Sequence, residues 1–211
     1  MDFTLRNVAA GKGSCFFKSV EEALQGDDNT PTRDTVLKAV KDGAHPIIRK
    51  MLDVYAGLPP QHLTDLSDLA RYVIDCHVKG TPPRDDKLAE LCLDQSQCAT
   101  QFEVELVKHD LERRGIALVV LQGLRFNTES NHKTLRAILD NVAPDTPVLL
   151  LTLVHQHYMY FAPVYGDTRV GMAAHSTRTI FENIYSVVTG TSCVSPNPIP
   201  LAAQIRSLPG L

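Results

Sequence analysis

No stretch of this 211-residue chain stays apolar for long. The longest run, Val148 to Val154, is broken by Thr152 and is far short of the roughly 20 residues that a membrane-spanning helix needs. Nor is there an excess of basic residues. Lys and Arg number 21 against 24 Asp and Glu, a net charge of −3, with no Lys/Arg cluster. That balance gives no electrostatic footprint for nucleic acid, so neither nucleic acid nor a membrane is expected as a partner. The segment Met1-Asp2-Phe3-Thr4-Leu5-Arg6 has neither the basic nor the apolar region of a signal peptide. No two cysteines are spaced as CxxC, and the five present (Cys15, Cys76, Cys92, Cys98, Cys193) are odd in number and scattered. Such usage fits a reducing compartment, so a cytoplasmic location is expected, the host cytosol included if the source is an intracellular pathogen. Without paired spacing, a zinc site at Cys76, His77, Cys92 and Cys98 is the weaker reading beside ordinary core or surface thiols. Internal repeats and low-complexity tracts are missing too.

What is present is ordinary for a globular protein: 44% hydrophobic and 21% charged residues, enough for a sizeable core. The patterning predicts a strand over Phe3 to Val8, then a helix from Cys15 to near Gly26. Thr30-Pro31 restarts a helix as N-cap and first position, and His45-Pro46 should break or kink it. Leu63 to Val78 and Asp86 to Leu93 read as helices. Thr100-Gln101-Phe102-Glu103 reads as a capping box opening one more, which stops at Gly115. After it, Ile116 to Leu121 and Pro147 to Val154 are continuous apolar runs of buried strands, with Gly123 to Lys133 as loop and Thr134 to Val142 as a short helix between them. His157 to Val164 predicts a third late strand. Helices first and a compact sheet later give an α+β fold in α/β/α layers. Residues 1–170 are expected to form the domain and residues 171–211 a C-terminal extension, packed on it or partly mobile.

The stretch Gly11-Lys12-Gly13-Ser14-Cys15-Phe16-Phe17 is where chemistry is expected. Phe16, Phe17, Val20, Ala23 and Leu24 recur at helical steps, so Cys15 stands at a helix mouth. There the positive dipole end favours a thiolate, Gly13 allows close approach of a carbonyl, and turn amides can donate to an oxyanion. The plainer alternative is a small buried core cysteine. A nucleophilic thiol needs a base. Of eight histidines, His45, His62, His77, His109 and His132 read as surface or helix-end residues, whereas His155 and His157 lie between apolar strands. If both were in one strand they would share a face, and a metal pair would be conceivable, with no third ligand evident. Otherwise His157 is either the base or a strand histidine satisfied by backbone groups.

Lys12-Gly13-Ser14-Cys15-Phe16-Phe17, together with His157-Tyr158-Met159, resembles the nucleophile and base segments of the ovarian tumour (OTU) family of cysteine proteases. In that family they read Asp-Gly-Asn-Cys-Leu-Phe/Tyr and His-Tyr/Phe-Asn/Asp. The stretch Phe102 to Leu121 resembles the family's helix-to-strand connection, and the likeness covers about residues 3 to 165. The resemblance implies an OTU-like fold, with a small central sheet between helices, and a monomeric deubiquitinase acting on ubiquitin or polyubiquitin chains. It implies Cys15 as nucleophile, His157 as general base, backbone amides of Lys12, Gly13 and Ser14 as the oxyanion site, and no cofactor or metal. Two positions depart from the pattern. Lys12 replaces the aspartate, and Met159 stands where an orienting Asn or Asp follows the base. The third member must then come from Asn7 or Asp2 on the preceding strand, or be missing. Asp65, Asp68, Asp94 and Glu103 are candidates for facing ubiquitin's positive tail. A catalytically impaired ubiquitin-binding module and a papain-like thiol hydrolase with another substrate are the alternatives.

Overall fold

Local rules decide most helix ends. Pro46 occupies the first position of its helix, where a missing N–H costs nothing. Ser67 caps the next long helix by accepting from the Ala70 N–H at 3.1 Å. Gly80 ends that helix in the left-handed region at φ 65°, with the Thr81 N–H reaching back to the Cys76 carbonyl at 3.0 Å. In this computed structural model the described residues are 3–8, 13–24, 30–42, 45–94, 96–123, 128–141 and 146–163. The expected extension over residues 171–211 lies outside them.

In order, the elements are β1 (Phe3–Asn7), α1 (Cys15–Ala23), α2 (Arg33–Lys41), α3 (Pro46–Ala56), α4 (Asp68–Lys79), α5 (Asp85–Leu93), α6 (Gln101–Arg113), β2 (Ala117–Gln122), α7 (Glu129–Asn141), β3 (Val148–Val154) and β4 (His157–Pro163). A single 3-10 turn at Pro60–His62 precedes α4. Helices and a small mixed sheet make the class α+β, as expected. None of the helices among the described residues is long and apolar enough to cross a membrane.

Three predicted helix starts move, each because a cap sets the first turn, and α1 ends at Ala23, short of the expected Gly26. α2 starts at Arg33 and not at Pro31, since Thr32 is its N-cap and donates its N–H to Thr35 Oγ1 at 3.1 Å. α4 starts at Asp68 and not at Leu63, because Ser67 caps it. α7 starts at Glu129, inside the segment expected to be loop. Thr128 Oγ1 accepts from the Asn131 N–H at 3.2 Å there, so the polar residues that looked like loop form the wet face of a helix.

The described residues group into two compact units. The sheet unit holds β1, α1 from Lys18 onward, β2, α7, β3 and β4. Its strand order is β1-β4-β3-β2, with β1 and β3 antiparallel to β4, and β2 parallel to β3. The parallel pair is joined through α7, the crossover that parallel strands require. Leu149 and Leu151 are fully buried and Leu121 and Phe161 nearly so, which is why β2 and β3 read as unbroken apolar runs. Buried Asn131 clips α7 to edge strand β2, accepting from the Gln122 N–H at 2.8 Å and donating to the Gln122 carbonyl at 3.0 Å.

β3 and β4 are joined by His155 and Gln156, at φ 47° and 66°. Two successive left-handed residues make the tight hairpin turn that glycine or asparagine normally fills. Without glycine the turn is strained, by roughly 1 kcal/mol per residue. Gln156→Gly is therefore expected to raise unfolding free energy by about 1 kcal/mol in urea titrations.

The helical unit holds Gly13–Phe17 and α2 to α6. Its core includes Val36, Leu69, Val73, Ile74, Leu88, Phe102 and Leu111. One polar joint ties two of its helix starts together. Glu103 is only 4% exposed. Its carboxylate accepts from the Thr100 N–H at 2.7 Å, the Thr100 hydroxyl at 2.6 Å and the Ser67 hydroxyl. A buried carboxylate is tolerated only when hydrogen-bonded in this way.

Candidate functional site

Register decides what stands beside His157. β1 and β4 pair so that Asn7 is opposite Met159. Facing residues of an antiparallel pair point to the same side, and every second residue along a strand repeats it. Asn7, Met159 and His157 therefore share a face, with Asn7 diagonal to His157, within reach of long side chains. The two side chains meet: His157 Nε2 and Asn7 Oδ1 are 2.6 Å apart. An amide oxygen can only accept, so Nε2 carries the hydrogen and Nδ1 keeps its lone pair. The imidazole is thus held in the tautomer suited to taking a proton at Nδ1. One residue on, the Tyr158 carbonyl accepts from the fully buried Ser19 hydroxyl at 3.0 Å, which fixes the start of β4 against α1 within the sheet unit.

In the helical unit, Cys15 is the first residue of α1 and is 0% exposed. Phe16 and Phe17 behind it are buried, with ring centroids 5.2 Å apart at 73°, an edge-to-face pair. Gly13 is buried and Ser14 half-buried. The Gly13 carbonyl accepts a hydrogen bond from Arg33 Nη2. The same guanidinium donates to the carbonyls of Cys92 at 3.0 Å and Gln97 at 3.2 Å. It also lies 5.0 Å from the Phe17 ring centroid. The sequence reading missed Arg33. A signal existed, since a cation in the first turn of a helix opposes the dipole and must find its acceptors elsewhere.

No family model and no curated protein matches this chain. Among solved structures, the chain is similar to an ovarian tumour (OTU) domain in complex with ubiquitin, at 12% identity. The likeness covers 90% of this chain and 88% of that one, with a TM-score of 0.42. That is the family whose motifs the Cys15 and His157 segments resemble. Identity and score at that level leave the function to the site's own chemistry.

Of the residues named from sequence, the structure brings Asn7 and His157 together. Gly13, Ser14 and Cys15 stand in sequence at the mouth of α1. Asp2 and Lys12 lie outside the described residues. Met159 is 7% exposed and packs as core, and the side chain that meets His157 is that of Asn7, across the sheet. His155 lies in the β3–β4 turn and not in a strand, which removes the shared face proposed for it with His157. Among the described residues no group of three His, Cys, Asp or Glu side chains could hold a metal ion. Glu103, a candidate for facing ubiquitin's tail, is instead buried under Ser67 and Thr100. Of the other candidates Asp65 is exposed, while Asp68 and Asp94 are half-buried. Gln97 and then Arg71 hydrogen-bond the Asp68 carboxylate and hold its pKa below the usual range.

Cys92 has a different fate from that of a nucleophile. Its thiol donates to the Arg33 carbonyl at 3.0 Å, and burial pushes its pKa up to about 11, against the opposing pull of Arg33. A thiol so protonated is inert at neutral pH. We expect iodoacetamide at pH 8 to leave Cys92 unmodified in the folded chain and to modify it in urea, as read by peptide mass spectrometry.

Proposed function

We propose that this chain is a thiol-dependent deubiquitinase that hydrolyses isopeptide bonds after the C-terminal glycine of ubiquitin. The observation that carries the reading is the His157–Asn7 pair, which presents Nδ1 as a base with its tautomer fixed by an amide. In the proposed reaction Nδ1 takes the Cys15 proton and the thiolate attacks the carbonyl carbon of the scissile bond. Backbone N–H groups of Lys12, Gly13 and Ser14 receive the oxyanion. The imidazolium then protonates the leaving lysine amine, and a thioester remains on Cys15. Water, deprotonated by the same imidazole, releases ubiquitin and restores the thiol. Asn7 is the third member and keeps the ring oriented through both halves. This chemistry needs no cofactor, and a reducing compartment keeps its thiol available. A monomer binding ubiquitin or polyubiquitin supplies every group named.

One observation favours a second reading. Cys15 is fully buried, as expected of a module that grips ubiquitin without cleaving it, whereas catalysis requires substrate binding to uncover the sulfur. Ubiquitin bearing a C-terminal 2-bromoethylamide separates the two. Displacement of bromide by the Cys15 thiolate joins the two proteins, and the adduct is read by intact mass. An adduct that disappears in Cys15→Ala supports the deubiquitinase. Binding without an adduct identifies the module, and neither binding nor adduct sinks both readings.

A further inference from the structure

Three backbone carbonyls, of Gly13, Cys92 and Gln97, converge on the Arg33 guanidinium, which also lies over the Phe17 ring. The grip is returned, since the Cys92 thiol donates to Arg33's own carbonyl. A guanidinium is a rigid fork of donors, so the carbonyls it binds are fixed in direction as well as in place. For Gly13 that direction has a consequence. A peptide is planar and trans, with its C=O and N–H on opposite sides. Holding the Gly13 oxygen toward Arg33 therefore aims the Ser14 N–H the other way. Glycine makes the hold necessary, because residue 13 can otherwise reach conformations that turn this peptide over. A cation on the carbonyl also polarises the amide and strengthens its N–H as a donor.

We infer that Arg33 is a positioning residue of the oxyanion site: it holds the Gly13–Ser14 peptide so that the Ser14 N–H meets the charge developing on the substrate carbonyl beside Cys15. The inference rests on the deubiquitinase reading. It assigns to the start of α2 a task in catalysis that the motif around Cys15 does not contain.

The test compares two reactions of one thiol. Hydrolysis of a ubiquitin C-terminal amide passes through an oxyanion, whereas displacement of bromide from the ubiquitin 2-bromoethylamide does not. Arg33→Ala is expected to lower kcat for the amide by about 10²-fold, with KM and the rate of bromide displacement within about threefold of the unchanged chain. Arg33→Lys should recover much of the loss, and the neutral Arg33→Gln less. Where Arg33→Ala fails to fold by circular dichroism, the Lys and Gln variants carry the comparison. If kcat is unaffected, or if the amide and bromide reactions fall together, Arg33 has no part in oxyanion binding and the inference is overturned, the deubiquitinase standing. A wild-type chain giving no bromide adduct overturns the deubiquitinase reading and this inference with it.

Discussion

Replacing His157 with alanine is expected, on the proposed mechanism, to lower kcat/KM for a ubiquitin C-terminal amide by about 10²- to 10⁴-fold, the usual worth of a positioned general base. The fold should survive, because His157 is half-buried at the first position of β4 and its described bond is to an exposed residue, Asn7. A melting temperature within a few degrees of wild type, beside lost turnover, is the expected pair of results. Asn7→Ala should cost less, roughly tenfold to a hundredfold. The base remains, but nothing selects the tautomer that leaves Nδ1 free to accept. The two substitutions should not be additive, since the proposed mechanism has Asn7 act only through the imidazole. Combining them is expected to cost no more than His157→Ala alone. An unchanged rate in His157→Ala would falsify the proposed mechanism. Equal losses in the single variants and a doubled loss in the combination would give Asn7 a role apart from the histidine.

Replacing Phe102 with alanine is expected to destabilise the chain by about 3–5 kcal/mol. Its side chain is 0% exposed, in the first turn of α6, where that helix meets the Ser67–Glu103 joint. A methyl group there leaves a cavity that the surrounding helices fill only in part. Urea titration should show the midpoint falling with little change in slope. Since domains of this size hold only about 5–15 kcal/mol of stability, the variant is expected to be poorly folded at 37 °C. A loss below about 1 kcal/mol would mean that the packing around Phe102 is wrong. Neither Cys15 nor His157 is altered in this variant. Activity per folded molecule should therefore hold at low temperature, which separates damage to the scaffold from damage to the site.

Element types were legible along the chain wherever neighbours in sequence carry the information. Pro46 splitting α2 from α3, Gly80 closing α4, and the apolar runs of β2 and β3 all rest on local backbone rules. The boundaries that moved had local signals as well. Ser67 and Thr128 are ordinary caps whose meaning was masked by apolar or polar residues nearby. Asn7 was legible only as one of two candidates. Met159 occupied the place where the motif calls for an orienting residue, and sequence could say only that the orienter came from elsewhere. Glu103 was legible as the far end of a capping box, and its bond to the Thr100 N–H three residues back bears that out. Its burial against Ser67, 36 residues away, and the carbonyls that Arg33 holds, 20 to 64 residues away, were not legible, because a glutamate and an arginine at helix starts look like surface charges until such partners are known.

By itself the sequence determined that a cysteine opens a helix behind a glycine turn and that a histidine opens a strand. Both follow from dihedral preferences and apolar spacing, which act over a few residues. Tertiary structure decided that Asn7 and not Met159 meets His157, that Arg33 holds Gly13, and that Glu103 turns inward. These depend on strand register and helix packing between segments as much as 150 positions apart, and no local preference encodes which of several matching faces will meet.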